Sequence, residues 1–175
     1  MKNKKGLVLN YTGDGKGKTT AALGLALRAI GHGEKVYMIQ FMKGSPDYGE
    51  IKAAKYLPNF QIVQKGRNAF VKKNEPHPED LELAKEGMEL ARKIISQGEY
   101  DLVILDEINV AVDYGLIKEE EVLKLIELRP EWVTLVLTGR YAHDKILEKA
   151  DMISLVKEVR HHYQRGISAQ GGIEY

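Results

Sequence analysis

Cysteine is absent from the 175 residues, which excludes disulfide stapling, thiolate nucleophiles and every zinc site built on sulfur ligands. Charge of one sign is missing too. Lysine and arginine number 26 against 25 acids, so no net basic field draws the chain to nucleic acid or anionic lipid. Tryptophan occurs once, at Trp132, and phenylalanine three times, too few for the basic-aromatic groove that stacks single strands. Long hydrophobic runs are also lacking. After Met1-Lys2-Asn3-Lys4-Lys5 the first apolar stretch covers only about six residues, short of a signal core or a membrane span. A cytoplasmic protein with neither a membrane nor a nucleic-acid partner is expected.

What remains is ordinary globular composition, 43% apolar and 29% charged, at a length usual for one compact domain, taken here as 1–175. Gly6 to Tyr11 is an apolar run that ends in a glycine-rich turn and reads as a buried parallel strand. Thr20 to Ile30 follows as a helix, with Leu23, Ala26, Leu27 and Ile30 on one face and Gly31 and Gly33 as stop signals. Lys35 to Phe41 closes a βαβ unit. A short helix over 47–56 and an edge strand over 60–63 come next. The polar, lysine-rich stretch 66–78 reads as an exposed loop able to act as a lid.

Glu79 to Gln97 is amphipathic, with Leu81, Ala84, Met88, Ala91 and Ile95 at helical spacing and Gly98 at its end. Asp101 to Leu105 is a strand that delivers Asp106 and Glu107 at its carboxyl end. A helix over 118–128, Trp132 as a packing residue, a strand over 133–137, a helix over 142–149 and a strand over 152–156 complete the alternation. The tail 158–175 is expected to be irregular. The fold class is α/β, P-loop NTPase-like, a mainly parallel sheet with helices on both faces.

The stretch Thr12-Gly13-Asp14-Gly15-Lys16-Gly17-Lys18-Thr19 lies between the first strand and helix. There, successive backbone N–H groups form an anion nest at a positive helix end. It is a variant of the general phosphate loop, because Thr12 stands where the first glycine is usual and Gly13 comes one step later. Lys16 and Lys18 would neutralise phosphate charge, and the Thr19 hydroxyl and Glu107 would hold magnesium through hard oxygens. Glu107 is preferred to Asp106 for the metal. His161 and His162 are adjacent, a poor spacing for shared metal ligation, and no metal is assigned to them.

With these residues in place, the chain closely resembles the corrinoid adenosyltransferases of the cob(I)alamin type over nearly its whole length. The marks are Tyr11 through Ala22, Gln40-Phe41-Met42-Lys43-Gly44, Leu105-Asp106-Glu107, Leu137-Thr138-Gly139-Arg140 and the tail Ala169 through Tyr175. The resemblance implies transfer of the 5'-deoxyadenosyl group of ATP to the cobalt of a reduced corrinoid by a magnesium-using homodimer, with a reductase as a further partner. Carried over by position, Gly13, Asp14, Gly15, Lys16, Gly17, Lys18, Thr19 and Thr20 hold the triphosphate, Thr19 and Glu107 the metal, and Arg28 lies near the nucleoside. Phe70, Arg140 and Gln170 are candidates near the corrinoid. Two rivals share the loop: a small-molecule or nucleoside kinase, and a RecA-like ATP-dependent binding module.

Overall fold

The structure, a computed structural model, describes residues 4–175; what was expected of Met1 to Asn3 lies outside them. Six strands form one sheet: β1 (Val8–Thr12), β2 (Val36–Phe41), β3 (Phe60–Lys65), β4 (Leu102–Asp106), β5 (Thr134–Thr138) and β6 (Met152–Leu155). Every pairing is parallel, in the order β3-β2-β4-β5-β1-β6. Because all strands run one way, all six carboxyl ends open on the same edge, where open α/β sheets collect their ligands. The edge position foreseen for β3 is the one it takes. β5 inserts between the loop-bearing β1 and the acid-bearing β4, with Val8 opposite Leu135 and Leu105 opposite Leu137.

Helices cover both faces. On one side α3 (Pro78–Gln97), α4 (Ile108–Asp113), α5 (Glu119–Leu128) and α6 (Asp144–Leu147) pack Met88, Ile95, Ile108, Leu125 and Ile146 against Ile39, Leu105 and Leu135. On the other, α1 (Lys18–Gly31) and α2 (Gly49–Ala54) pack against Leu9, Met38, Ile104 and Val136. No helix among the described residues is long and apolar enough to cross a membrane.

The face that α1 buries matches the expected one at Leu23, Ala26 and Ile30 but not at Leu27. Ala22, Ala26 and Ala29 are buried with Lys18, whereas Leu27 is 59% exposed. Small side chains let the helix axis come close to the sheet, which brings the first turn of α1 to the end of β1. α4 has no counterpart in the sequence reading, since its β-branched residues carry a weak helical signal. A buried amide pair pins it: Asn109 Nδ2 donates to Asn10 Oδ1 (3.0 Å) and to the Gly139 carbonyl (3.1 Å).

Trp132 caps the end of α3, its indole N–H donating to the Gly98 carbonyl at 3.3 Å. The tail has a single 3-10 turn, His162–Arg165, and is otherwise irregular. β6 leaves Met152, Ile153 and Leu155 between 43 and 61% exposed, an apolar outer strand.

The segment between β3 and α3 is tied at two points. Arg67 donates a forked pair to Asp80, at 2.7 and 2.8 Å, and Lys73 Nζ meets Asp113 at 2.7 Å. The Arg67 hydrogen bond holds the Asp80 carboxyl below the usual carboxylate range despite its burial. The tie is therefore fully present above the unfolded aspartate value near about pH 4 and is lost as pH falls through the depressed folded value. Asp80→Asn is expected to loosen this segment at neutral pH, read as faster tryptic cleavage after Lys72 or Lys73. Unchanged cleavage would mean that other contacts hold it.

Candidate phosphate and metal site at the carboxyl edge of the sheet

The glycine-rich turn between β1 and α1 has two left-handed positions, Gly13 (φ 101) and Gly17 (φ 115), which residues with a Cβ rarely adopt. Gly17 caps α1, so the free N–H groups of the first helical turn face the loop. Lys18 lies within that turn, 7% exposed, and its Nζ donates to the carbonyls of Gly13 and Gly15, both at 2.7 Å. Burial lowers its pKa, offset in part by Glu107 and the two other nearby acids and reinforced by Arg140.

Gly13 and Gly15 answer to a further demand besides anion approach. A Cβ on Gly13 would strike the Val156 carbonyl, and one on Gly15 would lie 2.6 Å from the Lys157 carbonyl carbon. The backbone following β6 thus lies directly on the loop, with Gly15 N–H donating to the Val156 carbonyl at 2.9 Å. Gly15→Ala is expected to push these segments apart at a cost of about 1–3 kcal/mol, seen as a lower urea midpoint and weaker ATP binding. An unmoved midpoint would show that the contact gives way freely.

Asp106, the last residue of β4, is fully buried and gathers four donors. Its Oδ1 accepts from Thr19 Oγ1 (2.9 Å) and Thr138 Oγ1 (2.7 Å), and its Oδ2 from Lys43 Nζ (2.7 Å) and Gln40 Nε2 (3.3 Å). Lys43 Nζ also donates to Thr19 Oγ1 at 3.1 Å. Gln40 reaches Glu50 as well, at 3.0 Å. Glu107 follows in a left-handed conformation (φ 61), and its N–H donates to Thr138 Oγ1 at 3.0 Å. Burial and the adjoining Asp106 raise the Glu107 carboxyl, against the pull of Lys43, Lys18 and Arg140.

The structure therefore puts Thr19, Asp106 and Glu107 in one cluster with Lys18, and it is Asp106 whose carboxylate touches the threonine. Thr20 and Asp14 adjoin the loop, Asp14 close enough to act on Lys18. Arg140 acts on both Lys18 and Glu107. Arg28 is exposed in the last turn of α1, about 15 Å along the helix from Lys18 at 1.5 Å per residue. Phe70 stands fully exposed on the segment after β3.

Gln170 lies in the tail, which folds back to the loop. Gln170 N–H donates to Glu174 Oε2 at 2.7 Å, while Glu174 Oε1 lies 3.9 Å from Lys16 Nζ and 3.5 Å from His162 Nε2. His161, His162 and Glu174 bring one ligand atom each within 4.8 Å, in a recess also lined by Lys16, Lys157 and Arg160. Glu158 lines the same recess, so its charges are of both signs.

Sequence reasoning gave no role to Lys43, Gln40, Lys157 or Arg160. Gln40 was detectable as the lone polar side chain within the apolar run of β2. Lys43 stands in one of the stretches that carry the family resemblance, though with no role attached, and Lys157 and Arg160 look like ordinary solvated charges until the chain is folded.

Comparison with known proteins identifies the family. A model of the family described as ATP:corrinoid adenosyltransferase BtuR/CobO/CobP matches residues 4–175. A corrinoid adenosyltransferase of Escherichia coli K12 is 37% identical over 174 residues, covering 99% of this chain and 87% of that protein. The corrinoid adenosyltransferase CobA of Salmonella typhimurium is 35% identical over 173 residues, with 98% and 87% covered. One from Pseudomonas aeruginosa is 32% identical over 177 residues, with 99% and 86% covered. Among solved structures, the KaiC-like protein PH0186 of Pyrococcus horikoshii OT3 superimposes with a TM-score of 0.58 at 19% identity, over 87% of this chain and 73% of that one, a likeness of fold alone. With a family match over almost its full length and relatives above 30% identity, this chain belongs to the ATP:corrinoid adenosyltransferase family.

Proposed function

We propose that this protein transfers the 5'-deoxyadenosyl group of ATP to the cobalt of a reduced corrinoid and releases inorganic triphosphate. The observation that carries the reading, beside family membership, is the concentration of anion-binding groups at the loop with no poised base demanded by the chemistry. Cobalt(I) of the corrinoid substrate is itself the nucleophile. Its electron pair forms the bond to C5', the C5'–O bond breaks with its pair going to the departing oxygen, and the cobalt ends two electrons oxidised. No proton has to be removed.

The protein's work is to orient C5' over the cobalt and to stabilise charge growing on the triphosphate. Gly13 to Thr20 supply loop amides, the Thr19 and Thr20 hydroxyls and the Lys16 and Lys18 ammonium groups. Lys157 and Arg160, beside Lys16, extend the positive surface. Arg28 is assigned to the nucleoside. The corrinoid is assigned to Arg140, Gln170 and Phe70, and Tyr141, half exposed and next to Arg140 in the chain, offers a further apolar face.

The cluster also fits a magnesium ion. Thr19 Oγ1 and the Asp106 carboxylate converge at 2.9 Å, an ammonium already sits between them, and burial together with Asp106 raises the Glu107 carboxyl, a conflict that a dication relieves. Thr19 and Glu107, with Asp106, would hold it. Magnesium supplies neutralisation of triphosphate charge. The exposed apolar strand β6 supports a homodimer, and the need for cobalt(I) supports a reductase partner in the cytoplasm.

The deciding experiment mixes protein, ATP, magnesium and chemically reduced cobalamin. Adenosylated cobalamin and triphosphate in equal amounts are expected. Release of ADP would replace this reading with a kinase, and ATP turnover that requires a polynucleotide would replace it with a RecA-like module.

A further inference from the structure

The turn after β2 is built with unusual care. Met42 is left-handed (φ 58) without being glycine, a conformation that costs energy and collects at functional sites. The turn packs backbone to backbone on the one after β3. A Cβ on Gly66 would strike Lys43 N and Met42 C, and a Cβ on Gly44 would strike the Gly66 carbonyl. Met42 N–H donates to the Lys65 carbonyl at 3.1 Å. This arrangement sends the Lys43 side chain inward, 18% exposed, to the carboxyl end of the neighbouring strand β4.

There its ammonium lies 2.7 Å from Asp106 Oδ2 and 3.1 Å from Thr19 Oγ1. These are two of the oxygens proposed above for the divalent cation, so ammonium and metal cannot hold the place together. Lysine has a flexible four-carbon stem and a point charge that needs no fixed plane of partners. Displaced from Asp106, the ammonium remains within reach of whatever occupies the loop, because it already lies 3.1 Å from Thr19 Oγ1 in the first turn of α1.

We propose that Lys43 exchanges between two anions: it neutralises Asp106 at the metal position before nucleotide binds, and moves to the triphosphate when the metal takes its place. It thereby becomes a further lysine on the leaving group and keeps the buried carboxylate paired in both states. The inference rests on the adenosyltransferase reading for the identity of the triphosphate. The exchange itself can be measured without corrinoid.

The test compares wild type with Lys43→Met, which keeps the stem and drops the charge, and with Lys43→Gln, which can still donate to Asp106. Manganese binding to nucleotide-free protein, followed by electron paramagnetic resonance, is expected to tighten about tenfold or more in both variants, since the competing cation is gone. Binding of inorganic triphosphate in saturating magnesium, followed by calorimetry, is expected to weaken about tenfold or more. Opposite shifts are the signature, because a purely structural role would weaken both. Lys43→Arg is expected to restore triphosphate binding. Unchanged manganese affinity, unchanged triphosphate affinity or loss of both in the two neutral variants overturns the proposal. If the shifts appear but the wild type makes no adenosylated cobalamin, the exchange stands and the adenosyltransferase reading falls.

Discussion

Lys18→Ala lowers the rate of adenosyl transfer by about 10²- to 10³-fold, equivalent to roughly 3–4 kcal/mol of lost transition-state stabilisation. The ammonium is buried in the first turn of α1 and holds the Gly13 and Gly15 carbonyls at 2.7 Å, so it sits inside the curve proposed to take the phosphates. Negative charge on the triphosphate increases as the C5'–O bond breaks, and a fixed cation gains most from that increase. The loss therefore falls mainly on kcat and only weakly on the KM for ATP. Stability changes little by comparison, by about 1 kcal/mol for the two carbonyl hydrogen bonds. Turnover by this variant at the wild-type rate would remove Lys18 from the mechanism, whatever its contacts.

Asp106→Asn is expected to destabilise the fold by about 2–3 kcal/mol and to weaken metal binding. The carboxylate is fully buried and accepts from Thr19, Thr138, Lys43 and Gln40. An amide in its place turns one acceptor oxygen into a donor where four groups now donate, and leaves the Lys43 ammonium without its counter-charge. Breaking a deeply buried pair costs about 3–5 kcal/mol; Lys43 keeps 18% exposure, so water relieves part of that cost. Urea unfolding measures the change, and a midpoint equal to wild type would show that the network contributes nothing net. Glu107→Gln serves as the contrast. Its carboxyl is held raised by burial and by Asp106, so removing the charge relieves a conflict and is expected to leave stability level or higher while magnesium affinity falls.

These two residues show how much of the site could be read in advance. Lys18 was legible because a phosphate loop is a local object: glycines, a lysine and a threonine at fixed spacing between a strand and a helix. Asp106 was legible as a strand-end acid, but its standing relative to Glu107 was not. Which of two adjacent carboxylates turns to Thr19 depends on the left-handed backbone at Glu107 (φ 61) and on Thr138 of another strand. The fold of the Gly15 loop onto Val156 and Lys157 was invisible for a related reason. A glycine records that something comes close, and not what comes.

From its residue order alone this chain determined the alternation of strands and helices, the parallel sheet and the loop at the end of β1, because periodicity and glycine stops act over a few residues. The tertiary structure alone decided that β5 lies between β1 and β4, that three alanines form the most deeply buried row of α1 while Leu27 faces out, that Lys43 meets Asp106 63 residues away, and that Glu174 returns to Lys16. Strand neighbours and cross-sheet pairs are chosen by burial and charge summed over the whole folded chain, and no short segment carries that sum.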